Sequence, residues 1–200
     1  MNAFVFPTPF TTRAAEGLDR RGFTVAEVLR MVEVGVIDED ERFELIDGEI
    51  VPMAPEQSRH VLIKSRLARR LIQALGPRPD LLVVVDSTLH LSERAFVEPD
   101  LYVAPDRDDV ARTPAADILL IIEVAASTTR HDLHLKAALY AKAGVTEYWV
   151  VDADTLVATV HRAPVDGTYG DVATHAPDRA LYAERLGDLT LAMAEIAEPR

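Results

Sequence analysis

The sequence predicts an α/β fold with a mixed sheet, on three observations. Three short aliphatic runs, "LLVVVDSTLHL" (81–91), "FVEPDLYVA" (96–104) and "DILLIIEVA" (117–125), read as strands, the last of them buried on both faces. Two stretches of helical period, 56–76 and 130–144, stand before and after them. The order is helix, hairpin, helix, three strands, helix, strands. That implies a mixed sheet flanked by helices rather than a regular βαβ repeat.

Each element has its local reason. Residues 1–22 hold prolines and no sustained period, so they read as a loose N-terminal arm; residues 23–200 read as a single domain. In 23–35, Val25, Val28, Leu29 and Val32 fall at helical spacing, with Thr24 as N-cap and Gly35 as stop. "RFELIDGEIVPM" (42–53) reads as a hairpin around Asp47-Gly48. Helix 56–76 ends at Gly76-Pro77, and helix 130–144 ends at Gly144, with Ser127, Thr128 and Thr129 as its cap. Strands are expected at 146–152, 155–162 and near 168–175, and a short helix around 191–197.

Composition narrows the class. The chain has 200 residues, 48% of them hydrophobic, enough for a sizeable core. It has no cysteine, which excludes disulfides and thiolate metal sites and suits a cytoplasmic location. No apolar run approaches the length of a membrane span, and the first residues do not resemble a signal peptide. A net charge of −12 argues against a general nucleic-acid coat. The charge is uneven, however: from Arg59 to Arg78 there are six basic residues and no acidic one. Arg59, Arg66 and Arg70 fall within a narrow helical arc, suited either to phosphates or to the chain's own acidic segments.

Chemistry concentrates at three residues. Glu123 terminates the apolar run Ile118–Ile122, where an unpaired charge would cost several kcal/mol. Lys136 shares a helix face with Asp132, Leu133, Leu139, Tyr140 and Ala143, either snorkelling to water or reaching a partner. Asp100 lies in a short apolar strand beside Pro99, as an edge or turn residue or as one aimed into a site. Taken together, two carboxylates suit Mg²⁺, with Mn²⁺ as substitute, and a lysine suits the developing charge of phosphoryl transfer. His60 lies on the same helical face as Ile63, Leu67, Leu71 and Leu75, so it points inward, toward the site or as a satisfied first-turn histidine.

"EPDLYV", "LLIIEVAAST", "HDLHLKAALYAKAGVTEYWVVD" and "RFELIDGEIVPM" resemble the Uma-two family of restriction-endonuclease-like proteins, in the PD-(D/E)XK nuclease superfamily. The resemblance covers roughly residues 22–195. It implies a restriction-endonuclease-like core and a Mg²⁺-dependent endonuclease site acting on DNA. Asp100 and Glu123 would be metal ligands, joined by the carbonyl of Val124. The superfamily's lysine usually stands two residues after the acidic one, where this chain has Ala125; the resemblance moves that role to Lys136. Glu44 resembles the family's upstream acidic residue, with a cross-strand ion pair as the alternative. A nuclease fold kept as an inactive binding or regulatory module is the rival reading, and a metal-free carboxylate hydrolase is another. The "EYWVV" aromatics and exposed strands would suit a homodimer interface.

Overall fold

The computed structural model describes residues 11–13, 19–125, 130–187 and 189–197. The chain divides into two compact units, one of residues up to 53 with 92–97, the other of residues 54–91 with 98–200. In the first unit, β1 (Thr11–Arg13) and β2 (Asp19–Arg21) form an antiparallel ribbon where a loose arm was expected. Backbone pairing of this kind needs no hydrophobic period, so no residue pattern announces it. Helix α1 (Val25–Glu33) begins at a capping box: the Glu27 amide donates to the Thr24 hydroxyl, and the Thr24 amide donates to the Glu27 carboxylate. Such a cap contributes about 1 kcal/mol. Strands β3 (Phe43–Ile46) and β4 (Glu49–Pro52) form the expected hairpin. Asp47 and Gly48 both have positive φ, 47° and 88°, as a two-residue turn of the favoured hand requires.

The second unit opens with α2 (Ser58–Leu75), whose inward stripe is Ile63, Leu67, Leu71 and Leu75. The run expected as one strand over 81–91 is two, β5 (Leu81–Val85) and β6 (Leu89–Ser92), because Asp86 turns the chain with φ 47°. The next run also splits. β7 (Ala95–Val97) belongs to the first unit and pairs with β3 through Leu45 and Phe96, whereas β8 (Leu101–Pro105) enters the main sheet. Between them lies Pro99, which has no N–H to offer a ladder.

Strand β9 (Leu120–Ala125) is buried along its whole length. It is followed by α3 (Arg130–Ala143), whose expected cap, Ser127–Thr129, lies outside the described residues. Then come β10 (Glu147–Asp152), β11 (Ala158–Val165) and β12 (Thr168–His175). The main sheet runs β12-β11-β10-β9-β8-β5. Only its β9–β10 pair is parallel, joined by the crossover helix α3, so the sheet is mixed as expected. The chain closes with two short strands, β13 (Ala180–Tyr182) and β14 (Thr190–Ala192), and a helix α4 (Ala194–Ala197).

The two faces of this sheet carry different layers. Leu101, Val103, Leu120, Ile122, Val124, Trp149 and Val151 pack in one core with the α2 stripe and the β13–α4 segment. On the alternate positions, Tyr148 meets Tyr140 of α3 with ring centroids 4.9 Å apart. Tyr148 and Trp149 are fully buried within this chain, so these aromatics are not exposed for a dimer interface.

His161 stacks on Tyr148 at 5.1 Å and neighbours Tyr169 at 5.5 Å. Burial lowers its pKa below the ordinary imidazole value. A histidine held neutral in the fold contributes stability that is present above its unfolded pKa of about 6.5 and is lost as the pH falls through it. Thermal melts of wild type and His161→Phe should therefore diverge with pH. Relative to the variant, wild type is expected to lose stability between pH 7 and pH 5; a difference in Tm that stays constant over that range would contradict the assignment.

Candidate active site

Asp100 lies one residue beyond the β8–β9 ladder, whose register pairs Leu101 with Ile122. Its carboxylate takes the place of the next ladder carbonyl: Oδ2 accepts the Val124 amide at 2.7 Å. The other oxygen, Oδ1, lies 2.8 Å from Nε2 of His60 on α2. One buried carboxylate thus joins the end of β8, the end of β9 and the first turn of α2. In an antiparallel ladder a residue's N–H and C=O face the same neighbour. The Val124 carbonyl therefore faces the side on which Asp100 lies.

Glu123 is only 6% exposed, on the sheet face that carries α3. Its Oε1 accepts from Lys136 Nζ at 3.0 Å and from the Tyr140 hydroxyl at 2.9 Å. Lys136 and Tyr140 are one helical turn apart, so both reach the same oxygen from one stripe of α3. This answers why a buried strand carries a carboxylate: an ammonium and a phenol offset its desolvation. The structure thus brings Asp100 to His60 and Glu123 to Lys136, with Val124 adjoining both carboxylates. Glu44 belongs to the other unit, where it is buried on β3.

A second cation lies on the α2 side. Lys64 is 4% exposed, and its Nζ lies 2.6 Å from Glu56, 2.6 Å from Asp86 and 3.8 Å from Asp100. Burial acts to lower the Lys64 pKa, but the hydrogen bonds to Asp86 and Glu56, with the Asp100 charge, outweigh it and raise the value overall. The His60 pKa is also raised, first by the hydrogen bond to Asp100, against the opposing effect of burial. Among the described residues, Glu56, His60 and Asp100 place ligand atoms within 4.8 Å of one another, a spacing that a metal ion can bridge. Oxygen donors of carboxylate and carbonyl suit a hard divalent cation, and each Asp100 oxygen retains a lone pair beyond its hydrogen bond. The Asp100 carboxylate and the Val124 carbonyl that faces its side are donors of the kind such an ion takes.

Glu56, Lys64, Asp86 and Tyr140 were not singled out from sequence. Part of the signal was there, since His60 and Lys64 lie four residues apart along the leucine face of α2, and Glu56 stands four residues before His60 in the sequence. Lys64 was read with the basic run instead. Asp86 had no local sign, because its place depends on the positive φ that ends β5.

The sequence from residue 25 to 194 matches the profile of the Uma2 family, described as "Putative restriction endonuclease". Among solved structures, a protein from Anabaena variabilis described as a "putative nuclease belonging to DUF820" is similar, with a TM-score of 0.69 and 17% identity. The alignment covers 87% of this chain and 97% of that one. At that identity the likeness speaks for the fold, a restriction-endonuclease-like α/β core. A search of curated proteins finds no match.

The three arginines considered for phosphate contact are engaged within the chain. Arg59 donates to the Ala153 carbonyl at 2.9 Å. Arg66 donates to the carbonyls of Ile196 and Ala197, at the end of α4, and Arg70 pairs with Glu195. Cations at a helix C-terminus satisfy its open carbonyls. Arg66→Gln should accordingly lower the unfolding free energy by about 1–2 kcal/mol in urea denaturation, with no change in the salt dependence of DNA binding. Unchanged stability together with a shallower salt slope would return Arg66 to the phosphate-contact role.

Proposed function

We propose that the chain, which belongs to the Uma2 family, hydrolyses phosphodiester bonds of DNA as a Mg²⁺-dependent endonuclease. The observation that carries the proposal is the Asp100 junction, flanked by the Glu123–Lys136 pair. Asp100, Glu123 and the Val124 carbonyl would hold the ion, and Mn²⁺ would substitute for Mg²⁺. Bound there, the cation would supply neutralisation of phosphate charge and a nucleophile at neutral pH.

The protein's own groups supply the remainder. His60 and the Val124 amide fix the Asp100 carboxylate from two directions, leaving lone pairs for a ligand. Tyr140 holds Glu123 from within the core, so Glu123 does not depend on Lys136 alone. Lys136 retains 14% side-chain exposure, more than its carboxylate partner, and can turn protons toward a phosphate that approaches from solvent. Charge developing on the transferred group would be stabilised by that ammonium.

The test separates binding from chemistry. Mn²⁺ at about a hundred times its dissociation constant stabilises the native state by about 2.7 kcal/mol. For a chain of this size that is a rise in Tm of several degrees, at about 2–4 °C per kcal/mol. Asp100→Asn and Glu123→Gln should abolish the rise. Lys136→Met should keep it while lowering cleavage about 100- to 1,000-fold. Cleavage retained in Lys136→Met would place the catalytic cation elsewhere. A Mn²⁺-dependent rise without cleavage of any DNA tested would favour the binding-module reading.

A further inference from the structure

The Lys64 ammonium lies against the same Asp100 carboxylate, yet the hydrolytic reading gives it no task. We propose that Lys64 is a built-in cation that occupies the second cation position beside Asp100, so that the site takes one divalent ion and not two. The proposal rests on the metal-dependent reading above.

Its geometry is that of a ligated ion. An ammonium has three protons, and Lys64 meets three carboxylates, Glu56 and Asp86 at 2.6 Å and Asp100 at 3.8 Å. Nothing in this arrangement is left to chance orientation. Glu56 lies in the segment just before α2, and its carboxylate accepts from the Lys64 ammonium at the end of the long lysine stem. Asp86 adopts a left-handed backbone at φ 47°, and its amide donates to the Asp100 carbonyl, which fixes the two aspartates side by side. Lys64 itself is buried, so the ammonium does not exchange freely between these partners and solvent.

Charge and spacing then set the stoichiometry. Three carboxylates against one ammonium leave a formal charge of −2 on this side of the site, which a single divalent ion at Asp100 balances. Two atoms of the ligand-spaced trio Glu56, His60 and Asp100 are partners of Lys64. While the ammonium is present, that trio is not available to an ion. On the other side, Glu123 and the Val124 carbonyl are not among the contacts of Lys64, and the divalent ion is left to bind there with Asp100. Removing the ammonium would leave three carboxylates and an imidazole around an uncompensated position, suited to a second ion.

The experiment counts ions. Calorimetric titration with Mn²⁺, checked by the electron paramagnetic resonance of free Mn²⁺, should give one ion per wild-type chain and two per Lys64→Met chain. Lys64→Arg, which keeps the charge, should bind one. Lys64→Met combined with Glu56→Gln, which removes a donor from the second position, should return to one. If Lys64→Met folds only when Mn²⁺ is present and then holds two ions, the proposal stands. Failure to fold even with excess Mn²⁺ would overturn it, since a divalent ion should replace the ammonium. One ion in both wild type and Lys64→Met would overturn the proposal and leave the hydrolytic reading intact. No ion in either protein would overturn both.

Discussion

The site depends on the Asp100 carboxylate. It is 6% exposed, and each of its oxygens has a fixed partner: a strand amide on one side and an imidazole on the other. The cost of burying such a charge is met only when hydrogen bonds and opposite charges surround it. That requirement explains much of what lies nearby. Pro99 frees the backbone before β8 from the ladder, so the side chain can replace a ladder carbonyl. Asp86 accepts an unfavourable φ and carries its own carboxylate to Lys64. The first turn of α2 presents His60 without a side-chain cap on that helix.

A second buried carboxylate in the same sheet is compensated in a different setting. Glu147 opens β10 and is 1% exposed. Its oxygens accept from Trp149, twice from Arg162, and from the Glu184 amide. The donors come from β10 itself, from Arg162 on β11 and from the backbone just after β13, so the carboxylate ties that segment to the sheet. Glu123 is compensated by an ammonium exposed to nearly the same degree as the Arg162 guanidinium, but it adjoins a second carboxylate junction, that of Asp100 on the Val124 amide. The difference lies in the neighbouring Asp100 carboxylate, rather than in burial itself.

This contrast also explains what was legible in the sequence. Strand β9, helix α3 and the hairpin at Asp47-Gly48 were readable because period, length and turn chemistry are local properties. Glu123 and Lys136 were readable as polar residues in apolar surroundings, and the structure pairs them. Strands β13 and β14 were not, being three residues each and held by contacts distant in sequence. Lys64 was hidden by its neighbours, since a lysine among arginines looks like a solvated basic face. Of the two roles open to the same run, the structure supplies internal partners: Arg59, Arg66 and Arg70 meet carbonyls and a carboxylate of the C-terminal half. A basic stripe and a set of internal partners for arginine are indistinguishable until the partner segments are placed.

The account's central claim is that Asp100 anchors a divalent-cation site shared with Glu123 and the Val124 carbonyl. Anomalous diffraction from crystals grown with Mn²⁺ tests it most directly. The account predicts a single peak per chain within bonding distance of Asp100, with Glu123 and the Val124 carbonyl as the other protein ligands and Lys64 still on Glu56 and Asp86. Strong Mn²⁺ peaks confined to the acidic stretches around residues 38–41 or 106–109, with none at Asp100, would contradict it.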